Sequence, residues 1–322
     1  MGGSKPLAQR GGLPYRRAAP RQKSPIHVSL RVTAGQAVFF GKVTGFVRYP
    51  QEPPVPAKTS SAGRADAPIL VVQLTDTHLM ADPAGVLCHV NTDASLRAVL
   101  DLVRANGHRP DLLLATGDLS HDGSPAAYRR LRELLEQTDW PVRCLPGNHD
   151  DPQALRDALG QWTQPVTDIG GWRIVLLDST VPGSDAGHID EAQFDILERA
   201  AALAGDRHVL VALHHNPLQM DSAWQDTMMV DNAQALFRRL AELPRTRVLL
   251  WGHVHQAFDR RRHHMRMLAT PSTCFQFAIR DGRHELDAAP PGYRWLKLYR
   301  DGSLATGVRR LDTAIWREAL AA

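Results

Sequence analysis

Asp111 to Asp118 read D-L-L-L-A-T-G-D, and this stretch restricts the fold more than any other in the chain. Leu112, Leu113, Leu114 and Ala115 form an unbroken apolar run too short for a helix, as expected of a strand covered on both faces. Gly117 breaks the strand and leaves Asp118 as a lone carboxylate where the chain exits the sheet. By itself such an Asp could cap the next helix. The pattern recurs, however. Ile69 to Leu74 precedes Asp76-Thr77-His78, and Val142 to Leu145 precedes Pro146-Gly147-Asn148-His149-Asp150. Val209 to Leu213 precedes His214-His215, and Val248 to Trp251 precedes Gly252-His253-Val254-His255.

Helical patterns alternate with these strands. Asp93 to Ala105 places Leu96, Val99, Leu100 and Val103 on one face. Further helices are expected at Pro125 to Glu136, Glu191 to Ala202 and Asn232 to Leu243, and another strand at Ile174 to Leu177. Met265 to Ala269, Arg294 to Tyr299 and Leu304 to Leu311 alternate apolar with polar residues and read as antiparallel. The expected architecture is a mixed α/β sandwich. At 322 residues the chain can bury a full core without disulfides.

Charge is unevenly spread. Residues 1–66 carry 11 Lys/Arg against 2 Asp/Glu, while the remainder carries 27 against 32. The basic character therefore belongs to residues 1–66, a Pro/Gly/Arg-rich stretch that reads as a disordered extension or a mis-assigned start of translation. A transit peptide or a polyanion-binding arm are the alternatives there. Nucleic acid is not an expected partner of the remainder. The catalytic domain is expected over residues 67–311, with 312–322 as a tail. No run of 18 apolar residues occurs, so no membrane span is expected. Three distant cysteines, Cys88, Cys144 and Cys274, suit a reducing, cytoplasmic setting.

In extended chain, residues two apart point the same way. Asp76 with His78, and His253 with His255, can thus each converge on one place. Clustering several imidazoles and carboxylates at strand ends is costly unless cations balance them. Oxygen and nitrogen donors without thiolate suit Mn, Fe, Zn or Co. The donors are too many for one ion, and two ions with Asp118 between them is the economical arrangement. Two carboxylates and a bridging hydroxide would leave a pair of divalent cations slightly positive, fit for a phosphate ester. The neutral Asn148 preserves that residual charge. A water between the cations would be acidified to hydroxide, able to attack phosphorus in line. His149 is placed to bind the phosphoryl group or protonate the leaving oxygen; alternatively it orients Asp118 or Asp76.

The ordered set D-x-H, G-D, G-N-H-D, H-H and G-H-x-H resembles the calcineurin-type metallophosphoesterase superfamily. Q-L-T-D-T-H-L (73–79), V-N-T (90–92), P-A-A-Y (125–128), L-H-H-N-P-L (213–218), L-A-T-P-S-T-C-F-Q-F (268–277) and P-G-Y-R (291–294) are similar to the bacterial class III 3′,5′-cyclic AMP phosphodiesterases. The resemblance spans residues 67 to 311. It implies a four-layer α/β/β/α sandwich with mixed sheets, and two divalent metal ions, Fe and Mn before Zn or Co. It implies that Asp76, His78 and His255 hold one metal with Asp118, and that Asn148, His214 and His253 hold the other with it. His215 is the alternative to His214. His78, Asp118, Asn148, His149 and His255 would contact the substrate phosphate, with His149 catalytic.

The implied reaction is hydrolysis of cyclic AMP to 5′-AMP. Another phosphodiester, such as a glycerophosphodiester or a 2′,3′-cyclic nucleotide, is the alternative substrate. The other ten histidines are expected at the surface or behind the ligands, although His89, like Asn91, could reach a substrate. Asn216 stands where the family usually has His or Pro. Trp224, Met228 and Met229 could form an interface, a lid over the nucleotide or ordinary loop packing, and a homodimer is a candidate assembly.

Overall fold

The structure, a computed structural model, describes residues 67–280, 283–313 and 316. The expected extension at 1–66 and most of the expected tail at 312–322 lie outside the described residues.

The first half of the chain builds one sheet and its covering helices. It runs β1 (Ile69–Leu74), β2 (Val86–Leu87), β3 (Val90–Asn91), α1 (Thr92–Ala105), β4 (Leu112–Thr116), α2 (Pro125–Glu136), β5 (Val142–Leu145) and α3 (Pro152–Leu159). The second half begins with β6 (Val166–Ile169), β7 (Trp172–Leu176), α4 (Glu191–Ala202), β8 (His208–Ala212), α5 (Ala233–Ala241) and β9 (Thr246–Trp251). Strands follow: β10 (Phe258–Arg262), β11 (Met265–Ala269), β12 (Gln276–Arg280), β13 (Arg283–Asp287), β14 (Gly292–Leu298) and β15 (Leu304–Arg310).

One five-stranded sheet has the order β15-β14-β1-β4-β5, and a six-stranded sheet has the order β10-β11-β9-β8-β7-β6. Each has a parallel centre, β1-β4-β5 in the first and β7-β8-β9-β11 in the second, with antiparallel strands at its margins. Met265–Ala269, expected as antiparallel, is β11, which pairs parallel with β9 and antiparallel only with β10. Its alternating pattern reports one half-buried face, and that does not encode the direction of the neighbour.

Strand periodicity explains the layering. Val71 and Leu112 are directly paired, as are Val72 and Leu113. Val71, Leu112 and Leu114 point inward to meet Ile174, Leu210, Val248 and Leu250 of the second sheet. Val72, Leu113 and Ala115 point outward under Leu96, Val99, Tyr128 and Leu131 of α1 and α2. On the far side Val175, Val209, Val211 and Leu249 pack beneath Phe194 and Leu197 of α4 and Leu236 and Leu240 of α5. Three apolar interfaces make four layers, α/β/β/α, as expected. Trp316 is buried against Val90, Cys274 and Phe275. Among the described residues no helix is long and apolar enough to cross a membrane, and the three cysteines are free.

Candidate metal centre

The parallel strands of both sheets deliver their carboxyl ends to one place, where open α/β sheets put their ligands. Asp76 and His78 follow β1, Asp118 follows β4, and Asn148 and His149 follow β5. His214 comes from beyond β8, and His253 and His255 from beyond β9. Each chain must reverse sharply there. Among the described residues ten non-glycine positions have positive φ, and five are Asp76, His78, Asp118, His253 and His255. Left-handed backbone at ordinary side chains costs stability, and such strain gathers at functional sites.

Two buried triads result. The donor atoms of Asp76, His78 and His255 lie within 4.8 Å of one another, as do those of Asp118, His214 and His253. Asp118 Oδ2 stands between them, 3.7 Å from His78 Nε2 and 3.4 Å from His214 Nε2. His255 Nε2 is 3.3 Å from both His78 Nε2 and Asp76 Oδ1. In the other triad His214 Nε2 is 3.2 Å from Asn148 Oδ1 and 3.3 Å from His253 Nδ1. The seven residues expected as ligands therefore lie close together, with Asp118 between the first triad and the histidines of the second.

Ring orientation is fixed from behind. His214 Nδ1 donates to the Thr116 carbonyl (3.0 Å) and His255 Nδ1 to the Phe275 carbonyl (2.8 Å), turning each Nε2 into the site. The Asp76 carboxylate accepts the His253 backbone N–H, and Asp118 Oδ1 accepts that of His149 at 2.9 Å. His149 stacks on His121, 4.9 Å between centroids, and meets the edge of His78 at the same distance. The donor atoms of His149, His121 and His78 also lie within 4.8 Å of one another, a less buried third group that shares His78 with the first triad.

The electrostatics fit cations. Burial pushes His78 and His253 well below the usual imidazole range, so both stay neutral with lone pairs to offer. Burial works against ionised Asp118 too, but His214 and His149 beside it hold the carboxyl well below its ordinary value. Burial alone would lower His214; the Asp118 carboxylate outweighs it and pushes His214 up to about 9. In the cation-free protein that proton offsets the Asp118 charge at close range. Apart from it, acceptor atoms face acceptor atoms, and buried His253 Nε2 has no hydrogen-bond partner. Such a donor set suits divalent cations.

Two glycines permit the convergence. A Cβ on Gly117, whose φ is +89°, would enter the His214 ring, and one on Gly147 would strike the backbone nitrogen and carboxylate of Asp118. Sequence reasoning missed the supports. Asp150 accepts the N–H groups of Gly147 (2.8 Å), Ser120 (2.8 Å) and Leu119 (3.1 Å), so one carboxylate ties the β4 and β5 exit loops together. The Tyr128 hydroxyl donates to Asp150 at 3.0 Å and accepts the Asp151 N–H at 2.8 Å. The signal was present in P-A-A-Y and in the last residue of G-N-H-D, but their partners lie 22 and 30 positions away.

His215, the alternative ligand, belongs to neither triad: its Nδ1 is 2.8 Å from Ser179 Oγ, while its ring packs 4.9 Å from that of His253 between centroids and its buried Nε2 has no hydrogen-bond partner. Asn91 caps α1, accepting the Ala94 N–H and donating to the Pro83 carbonyl. Asn216 is buried and donates to the Leu218 carbonyl.

The calcineurin-like phosphoesterase family profile matches residues 69–257. The chain is 44% identical over 262 residues to the 3′,5′-cyclic adenosine monophosphate phosphodiesterase CpdA of Pseudomonas aeruginosa, covering 81% of this chain and 96% of that protein. It is 43% identical to the same-named enzyme of Escherichia coli K12, covering 76% and 91%. A 3′,5′-cyclic-nucleotide phosphodiesterase of Nostoc is 36% identical, covering 77% and 94%. Among solved structures, a dimetal phosphatase from Danio rerio superposes with a TM-score of 0.57 at 15% identity, covering 76% of this chain and 97% of that one. That likeness concerns the fold.

Proposed function

Because the chain belongs to the calcineurin-like phosphoesterase family, we propose that it is a dinuclear metal-dependent phosphodiesterase hydrolysing 3′,5′-cyclic AMP to 5′-AMP. The observation that carries this reading is the position of Asp118 Oδ2 between two buried triads. The similarity to enzymes named for cyclic AMP over nearly their whole length supports the substrate.

Asp76, His78 and His255 would hold one cation and Asn148, His214 and His253 the other, with Asp118 shared. Hard and borderline donors without thiolate favour iron and manganese, with zinc or cobalt able to substitute. The chemistry such a pair supplies when bound is acidification of a water and polarisation of the phosphoryl oxygens. The chain's own residues do the rest. Phe275 and Thr116 carbonyls keep the ligand rings aimed, so that little reorganisation is needed at reaction. His149, half-buried and held by its backbone at Asp118, stands where it can give a proton to the departing 3′ oxygen. His78, Asp118, Asn148 and His255 line the place where the phosphate would lie.

The test is turnover of cyclic AMP by purified protein supplied with manganese, with and without a chelator. Asn148→Ala and His255→Ala should each lose roughly a hundredfold or more in kcat while keeping the circular dichroism of the parent. Rapid turnover of a glycerophosphodiester or 2′,3′-cyclic nucleotide beside negligible turnover of cyclic AMP would overturn the substrate. Near-normal rates in either variant would overturn the site.

A further inference from the structure

Trp224 leaves 48% of its surface exposed, an uncommon position for so large an apolar ring. It does not stand alone. In the β12–β13 hairpin, register sets Phe277 opposite Leu286 and Ile279 opposite His284, so these four side chains share one face. Trp224 packs on that face, its ring 4.5 Å from His284 and 6.1 Å from Phe277 between centroids. Phe277 lies 4.2 Å from His284 and 5.0 Å from His255. A continuous row of rings therefore leads from the site-facing imidazole of His255 to solvent. Burial, and then His255, push His284 down to about 4, so the outer rings are uncharged at neutral pH. Such a surface suits a flat neutral ring and not a second phosphate.

We propose that Trp224, backed by His284 and Phe277, is the platform on which the base of a cyclic nucleotide stacks while its phosphate lies among Asp118, Asn148 and His255. The inference rests on the reading above that the substrate is a cyclic nucleotide. The row begins at His255, one of the residues that would line the phosphate, and Phe277 and His284 carry it outward to Trp224. Stacking on an indole grips any purine strongly and a pyrimidine less. It makes Trp224 a specificity residue acting on binding, with no part in bond cleavage.

Wild type, Trp224→Ala and Trp224→Phe would be compared on cyclic AMP and on methyl riboside 3′,5′-cyclic phosphate, which has the same phosphate and sugar and no base. In Trp224→Ala the KM for cyclic AMP should rise about tenfold with kcat nearly constant. The ratio of kcat/KM for cyclic AMP over the baseless ester should fall by a similar factor, and Trp224→Phe should recover most of it. An unchanged ratio in Trp224→Ala overturns the platform while leaving the cyclic nucleotide reading intact. So does an unchanged KM accompanied by a lower mass in light scattering, which would make Trp224 a subunit contact. Failure of the underlying reading is visible separately, as wild-type protein that leaves cyclic AMP untouched, and overturns both.

Discussion

Asp118 is a buried carboxylate kept ionised by its neighbours, and it hands that problem to His214. In the cation-free protein His214 carries a proton at neutral pH, because its pKa is pushed up to about 9. A cation that takes the Nε2 lone pair must expel that proton. The sign follows: affinity for divalent cations rises with pH until about 9, by up to roughly tenfold per unit. Calorimetric titration of manganese at pH 7 in two buffers of different ionisation enthalpy should show proton release. Identical apparent enthalpies in both would contradict the pairing of His214 with Asp118. His149 makes a second prediction at this scale. If it protonates the leaving oxygen, His149→Gln should lose about a hundredfold in kcat on cyclic AMP. On a diester with a p-nitrophenolate leaving group, which needs no proton, it should lose far less. Equal losses would assign the ring to phosphate binding instead. The choice between His214 and His215 was half legible in the sequence. The sequence offered an adjacent pair, but which ring joins the triad depends on Thr116 and Ser179, distant in sequence.

At the scale of elements, position is decided by loops that polar side chains lock together. Removing the Asp150 carboxylate orphans three backbone N–H groups between the β4 and β5 exits. Asp150→Ala should cost on the order of 3 kcal/mol and weaken cation binding, whereas Tyr128→Phe, which spares the carboxylate, should cost about 1 kcal/mol. Urea denaturation with chelator present would measure both, and equal midpoints for Asp150→Ala and wild type would refute the clamp. The strands with strong apolar runs, β1, β4, β5, β8 and β9, were legible because burial on both faces favours apolar residues through most of each strand. The polar β10, exposed along most of its length, left no such trace. Helix α3 was overlooked although Asp151 caps it and Pro152 opens it, both local signals. The insertion of β14 beside β1 could not be read at all, since Ile69 meets Leu298 across most of the chain.

For the molecule as a whole, the site is a seam. Asp76, His78, Asp118 and Asn148 belong to the exits of one sheet, and His214, His253 and His255 to those of the other. Cations bound there would staple the sheets at their carboxyl ends. The sandwich does not depend on them, because its central core lies beneath the site and polar ties cross it. Gln73 Nε2 donates to Thr116 Oγ1 at 2.7 Å and to the Trp251 carbonyl at 3.2 Å, joining first sheet to second. Arg294, buried in β14, donates to the Ala269 and Phe258 carbonyls at 2.7 and 3.0 Å. Chelation should therefore lower the thermal midpoint without unfolding the protein. Manganese at a hundredfold above its dissociation constant adds about 3 kcal/mol, a rise in Tm of roughly 5–10 °C for a domain of this size. Asp118→Asn, which weakens the one carboxylate of the second triad that also approaches His78 of the first, should abolish most of that rise. Hydrogen exchange gives the location: added protection should fall on the loops after β1, β4, β5, β8 and β9 and spare the opposite ends of the same strands. Protection spread evenly over both ends would mean that the cations act on the fold generally and not at the seam.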